Sequence, residues 1–194
     1  MQTFLAYQDY EKSVKILDNS RLVKQCVETQ QILNAIINKS GWKHHPASKM
    51  FKNNTNSLIN YGLAACVEVK NRGFKWQKNY EKIISFYDET KSDDSPSWLG
   101  DQKIHDSHKS RLLCKGEIDR LCLAIKKHLK IRSINTWLKS NPLFKKEKNY
   151  LKFSDIKLLN DFIEQNKIDL CGFKNFYKQY DWNVSMEKEY VWPN

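Results

Sequence analysis

Apolar residues in this chain recur three and four positions apart and almost nowhere alternate, which commits the fold to helices packed on helices. In "RLVKQCVETQQIL", residues 21–33, the residues Leu22, Cys26, Thr29 and Leu33, continued by Ile36, form the buried stripe of an amphipathic helix. The opposite face carries Arg21, Lys24, Gln25, Glu28 and Gln31. Glu28 is the only carboxylate on that face, with Lys24 at i−4 and Arg21 at i−7. By periodicity alone it reads as a solvated carboxylate among cations; a chemical role is the alternative.

The rest of the chain follows the same pattern. Only six Gly and four Pro interrupt 194 residues. A short helix is expected over "DYEKSVKIL". A second runs from Ser20 to Asn38, with an N-cap in "LDNSR". "KSGWKHHPASKM" breaks it through Gly41 and Pro46. A third helix is expected from Ala47 to Arg72, stopped by Gly73, and "WQKNYEKIISFYDE" forms another. "TKSDDSPSWLGD" reads as a loop, and "IHDSHKSRLLCK" as a short basic segment. From Glu117 to Asn166 two or three Lys-rich amphipathic helices follow, interrupted at "SNPLFKKEKN". The tail "DWNVSMEKEYVWPN" reads as extended and aromatic.

Length sets one domain as the expectation, residues 1–194, with room for an insertion. A formal net charge of +11 points to a polyanionic partner, most simply nucleic acid. Five cysteines, an odd number with no C-x-x-C pair, read as reduced thiols rather than a disulfide framework. No signal-peptide layout and no apolar run long enough to span a bilayer is present. The expectation is a monomer that does not engage membranes, in the cytoplasm, the nucleus or a viral particle or factory, and not secreted.

His105 and His108 stand at i, i+3, a spacing that can bind metal, but no second pair completes a zinc site, so no metal and no cofactor are expected. These histidines contact phosphate, cap a turn or pack in the core. "HDSHKSRLLCK" groups His105, His108, Lys109, Ser110, Arg111 and Lys115, a set that at a helix start holds phosphates through side chains and free N–H groups. An ordinary solvated basic helix is the alternative. Aromatics beside cations in "GWKHH", "RGFKW" and "FKNFYKQY" suit base stacking together with phosphate contact.

Several of these pieces carry a resemblance. "MQTFL", "LDNSRLVKQCVE", "HPASKMFKNNTNSLINYGLAACVEVKNRGF" and "HDSHKSRLLCK" stand in the order seen in the pyrimidine-dimer DNA glycosylase family. The chain resembles more closely a bacterial and viral branch through Phe4–Leu5, Leu17 to Leu33, Gly41 to Ala47 and the terminal "YVWP", Tyr190 to Pro193. The resemblance covers about residues 1 to 116 and the C-terminal tail, and leaves 117–172 as a lineage-specific helical insertion.

It implies an all-α fold, a compact single-domain helical bundle of the phage T4 endonuclease V type with that extra insertion. It also implies DNA repair by a glycosylase with AP-lyase activity acting on double-stranded DNA with a damaged base or abasic site. In that mechanism the chain's α-amine attacks the sugar C1′, displaces the base and forms a Schiff base, and β-elimination breaks the strand. The family's essential Glu lies six residues after a Leu that follows His or Arg; Arg21–Leu22 and Glu28 satisfy this. Gln2 is too bulky for Met1 to be removed, so Met1 supplies the amine. Gln2, Arg21, Lys24, Gln25, Gln31, His44, His45, His105, His108, Lys109, Arg111 and Lys115 are the expected DNA contacts. Where the phage enzyme flanks its Glu with arginines, this chain has Val27 and Gln31. A non-catalytic DNA-binding module of the same fold, or a nuclease using histidines, are the alternatives.

Overall fold

The computed structural model describes residues 2–91, 95–144, 151–173, 175–180 and 182–193. Among them every regular element is helical: α1 (Tyr10–Lys15), α2 (Asn19–Ile37), α3 (Pro46–Met50), α4 (Thr55–Asn71), α5 (Gln77–Ile84), α6 (Gln102–His128), α7 (Ile134–Ser140) and α8 (Ser154–Gln165), with two 3₁₀ turns. The all-α expectation holds.

Local signals explain the helix ends. Asp9 and Asp18 cap α1 and α2, their carboxylates accepting the N–H of Lys12 and Arg21. Gly73 sits at φ +78° beyond α4, with Gly73 N–H bonded to Lys70 and Phe74 N–H to Val69. That paired bonding is the Schellman arrangement, which needs a left-handed residue and so favours glycine.

Two helix expectations change. The single helix expected over 47–72 is interrupted at 51–54, where Asn54 leaves helical geometry at φ −130°, ψ 53°. Phe51 is fully buried there, edge-on to Trp98 at 5.3 Å, and Asn53–Asn54 favour a turn over helix. In the opposite direction, "IHDSHKSRLLCK" is not a short segment but lies inside the 27-residue α6.

The chain divides into two compact units, residues 1–109 with 190–194, and residues 110–189. In the first, α2 and α4 pack against each other around Leu22, Cys26, Ile32, Leu33, Leu58, Ile59 and Ala65, all essentially inaccessible. The second has its own core of Ile118, Leu121, Ile125, Phe144, Leu159 and Ile163, with Trp137 and Phe162 alongside. It takes in the segment 117–172 and extends past it at both ends. Part of "SNPLFKKEKN" lies outside the described residues. All five cysteines are free thiols, four of them buried.

Gly62 of α4 sets how closely α2 approaches. A methyl group there would meet Thr29 Cγ2 at 2.5 Å and Ile83 Cδ1 at 3.1 Å. Thr29 is β-branched and stiff at χ1, so it cannot swing aside cheaply. Gly62→Ala gains about 1 kcal/mol in helix propensity but overpacks the interface by about 1–3 kcal/mol. The expected result is a net loss of stability, read as a lower urea midpoint; an unchanged or raised midpoint would show that the helices separate freely.

Candidate active site

The first unit converges on residues 2–5. The Gln2 N–H donates to Glu28 Oε2 at 3.2 Å. The Tyr190 hydroxyl donates to Thr3 O at 2.8 Å. The Phe4 N–H is shared between Gln25 Oε1 and the Tyr61 hydroxyl oxygen, each at 3.2 Å. The Leu5 N–H donates to His108 Nδ1 at 2.7 Å, and Leu5 O meets His105 Nδ1 at 2.8 Å. Residues 2–5 belong to no helix and have no ladder partners, so side chains from α2, α4, α6 and the C-terminal tail satisfy their backbone instead.

Glu28 is 7% exposed and Gln25 1%, so the face read as solvated dips into the interior at these two residues. The correction has a physical cause: residues 2–5 cover that part of α2, and both side chains find polar partners beneath the cover. Gln25 Nε2 donates to Glu28 Oε2 at 3.3 Å, and Gln25 Oε1 accepts from the Tyr61 hydroxyl at 2.7 Å. Burial raises the Tyr61 hydroxyl far above its ordinary range, so it remains a donor. Both donors to Glu28 use Oε2, while Oε1 lies 3.7 Å from Lys24 Nζ, whose side chain is 69% exposed. With Lys24 mostly in solvent and 3.7 Å away, this pair contributes little to stability.

The two histidines of α6 are interior groups, not surface phosphate contacts. His108 is fully buried, and Nδ1 accepts the Leu5 N–H. Burial, with His105 adding to it, pushes the His108 imidazole down to about 3. His105 bridges Leu5 O and the Gly100 N–H. Lys109 and Arg111 are half-buried, Lys109 beside Asp106 at 3.7 Å and over the Tyr7 ring at 5.1 Å. Arg111 lies against the Cys114 thiol, and Lys115 is also half-buried. These positions lie inside α6, where backbone N–H groups are consumed by the helix itself, so the expected free N–H cradle is absent there.

The remaining expected contacts sort by exposure. Arg21 pairs with Asp18 at 2.5 Å and is half-buried. Lys24, Val27, Gln31 and His44 are exposed. His45 is half-buried, caps α3 by accepting the Ala47 N–H at Nδ1, and stands edge-on to Trp42 and Trp192. Burial lowers its proton affinity, and the charge of Glu28 works in the opposite direction. Met1 lies outside the described residues. The groups that sequence reading missed are Tyr61, which lies within the helix expected from Ala47 to Arg72, and Tyr190; the terminal "YVWP" motif is the available signal for the second.

The site thus brings together a buried carboxylate, an N-terminal segment clamped against it, and an aromatic border. Residues 1–82 match the family model for pyrimidine dimer DNA glycosylase. The matched stretch contains Gln2, Gln25, Glu28, His45 and Tyr61, and it supports the resemblance carried by the motifs. No curated protein and no solved structure matches the chain. Among the described residues no group of His, Cys, Asp and Glu could hold a metal ion, and no helix is long and apolar enough to cross a membrane.

The His108 clamp has a pH signature. Its proton affinity is depressed in the folded protein, so below the ordinary histidine value of about 6.5 the unfolded chain binds a proton that the folded chain refuses. Stability is therefore present above pH 6.5 and is lost as pH falls toward the folded value of about 3. Between pH 6.5 and pH 5 this one group accounts for at most about 2 kcal/mol. Urea unfolding of wild type and His108→Gln across that window checks it: the variant starts less stable and loses less on acidification. Equal losses in both proteins would remove His108 as the cause.

Proposed function

We propose that the protein is a DNA glycosylase with AP-lyase activity, using the α-amine of Met1 as nucleophile and Glu28 as the proton-transferring carboxylate. The observation that carries this reading is the Gln2 N–H on Glu28 Oε2, within a segment where residues 2–5 are all held by side chains. Met1 directly precedes Gln2 in the sequence, so its amine is the chain's nearest amine in sequence to that N–H.

The chemistry suits the groups. An unperturbed α-amine has a pKa of about 7.7–8.0 against about 10.4 for Lys, so roughly a tenth to a fifth of it is neutral at pH 7. The amine lone pair attacks C1′, the C1′–base bond breaks, and the base leaves with a proton. Loss of the amine proton and opening of the sugar ring give the Schiff base. Removal of a C2′ proton then expels the 3′ phosphate. Glu28 stabilises the cationic sugar as the base departs and carries the protons of ring opening and elimination. C1′ is shielded in a stacked duplex, so the DNA must be distorted or a base flipped.

Damaged or abasic duplex DNA is the proposed substrate class, with pyrimidine dimers among the candidates. Val27, at 41% exposure, and the exposed Gln31 flank Glu28 where the phage enzyme has arginines, which favours a looser grip on the lesion. The testing experiment is borohydride reduction during incubation with abasic and UV-irradiated duplexes. A covalent protein–DNA adduct is expected. Binding without adduct on every lesion would leave a non-catalytic DNA-binding module, and chelator-sensitive cleavage without adduct would point to another nuclease mechanism.

A further inference from the structure

Five rings of the first unit form a continuous row that rises from the interior to the surface, tied at Tyr190 to the N-terminal segment. His108, fully buried, stacks on Tyr190 with centroids 4.4 Å apart and planes 20° apart. Tyr190 meets Trp192 at 4.4 Å, Trp192 meets His45 at 5.8 Å, and His45 meets Trp42 at 5.7 Å. Trp42, the last ring, is 58% exposed, the most exposed large apolar side chain among the described residues. A tryptophan buries more apolar surface than any other side chain when covered, so leaving one this open forfeits stabilisation that a partner restores.

We infer that Trp42, backed by His45 and Trp192, is a stacking platform for a nucleobase displaced from the duplex at the site of reaction. The inference rests on the DNA glycosylase reading and adds a base-binding face to it.

Three observations carry it. Three of its five rings are anchored, Tyr190 by donating to Thr3 O, His45 by accepting the Ala47 N–H and the buried His108 by accepting the Leu5 N–H, so the rings behind Trp42 lose little freedom when a base lands on it. It is tied to the candidate carboxylate through the N-terminal segment: Tyr190 holds Thr3 O, and the adjoining Gln2 N–H donates to Glu28 Oε2. Lys39 and Lys43, three residues and one residue from Trp42 in the sequence, are exposed, which supplies cations for the phosphates flanking a displaced base. An aliphatic peptide would use the ring but not the cations; a strand of nucleic acid uses both.

The need for such a face follows from the reaction. Exposing C1′ costs the stacking of at least one base, and an aromatic surface returns part of it. Stacking on one ring changes affinity by about tenfold to a hundredfold. The return applies only where a base has left the stack, so it discriminates distorted from intact DNA.

The test measures binding of the full-length protein to two otherwise identical duplexes, one intact and one carrying a tetrahydrofuran abasic analogue opposite 2-aminopurine. Trp42→Ala is expected to weaken binding to the abasic duplex about tenfold, to leave the intact duplex within about twofold, and to keep the salt dependence unchanged, since no phosphate contact is lost. Trp42→Phe, which retains a ring, is expected to recover most of the loss. In wild type the 2-aminopurine emission is quenched on binding, and in Trp42→Ala it is not. Equal loss on both duplexes, or no loss on either, overturns the inference. Failure of the glycosylase reading is seen separately, as the absence of a borohydride adduct with wild-type protein.

Discussion

Glu28→Gln is expected to bind damaged duplex DNA nearly as wild type does and to cleave it about a hundredfold to ten-thousandfold more slowly, the range for removing a proton-transferring group. The geometry explains why the fold should tolerate the change. Among the described residues, two groups donate hydrogen bonds to Glu28, the Gln2 N–H and Gln25 Nε2, and both are received at Oε2. An amide oxygen placed there keeps both. The new NH₂ then occupies the Oε1 position, where the neighbouring cation among the described residues is Lys24, 3.7 Å away on a side chain exposed enough to move. What is lost is the negative charge and the capacity to accept a proton. Single-turnover cleavage of an abasic duplex, with affinity measured in parallel, reads this directly. Cleavage at the wild-type rate would reject Glu28 as the carboxylate of the reaction.

Acetylation of the N-terminal amine should have an effect of similar size. An acetylated amine has no lone pair to attack C1′, and Lys43 or Lys24 could replace it only poorly. At pH 7 the neutral fraction of an ordinary lysine is several hundredfold below that of an α-amine, by the roughly 2.5-unit difference in their pKa values. Borohydride trapping on an abasic duplex is therefore expected to fall by about two orders of magnitude or more. DNA binding should survive, because the acetyl group removes one positive charge from a large surplus. Undiminished trapping would move the Schiff base to a lysine, which peptide mapping of the adduct would identify.

These two predictions address one small region, and its parts were unequally legible in the sequence. Glu28 stood out because the spacing from Arg21–Leu22 matched a family pattern. Its burial did not, since helical periodicity places it opposite the stripe of Leu22, Cys26 and Leu33. A helix covered on one side by other helices and on another by an extended segment buries more of its circumference than one stripe predicts. Gln25 shows the same effect: polar by type and expected on the surface, it is held in the interior by Tyr61 and Phe4. The basic segment "HDSHKSRLLCK" misled for a related reason. Charge and histidine content suggested a phosphate site, but its place inside α6 consumes the backbone donors, and the two histidines turn inward to hold Leu5.

The sequence by itself determined that the chain is helical, where α1 and α2 lie and where α4 ends, that its net charge is strongly positive, and which carboxylate to suspect. Those properties follow from local rules: the spacing of apolar residues, capping side chains, the left-handed Gly73 and the net charge. Tertiary structure alone decided what surrounds that carboxylate. Gln2, Gln25, Tyr61, His108 and Tyr190 are spread from one end of the chain to the other. Their convergence depends on the close α2–α4 approach that Gly62 permits and on the return of the C-terminal residues to the first unit. No local pattern encodes contacts between residues 2 and 28, 4 and 61, or 3 and 190, because each exists only when distant segments bury one another's apolar faces and leave the extended backbone of residues 2–5 to be satisfied by side chains.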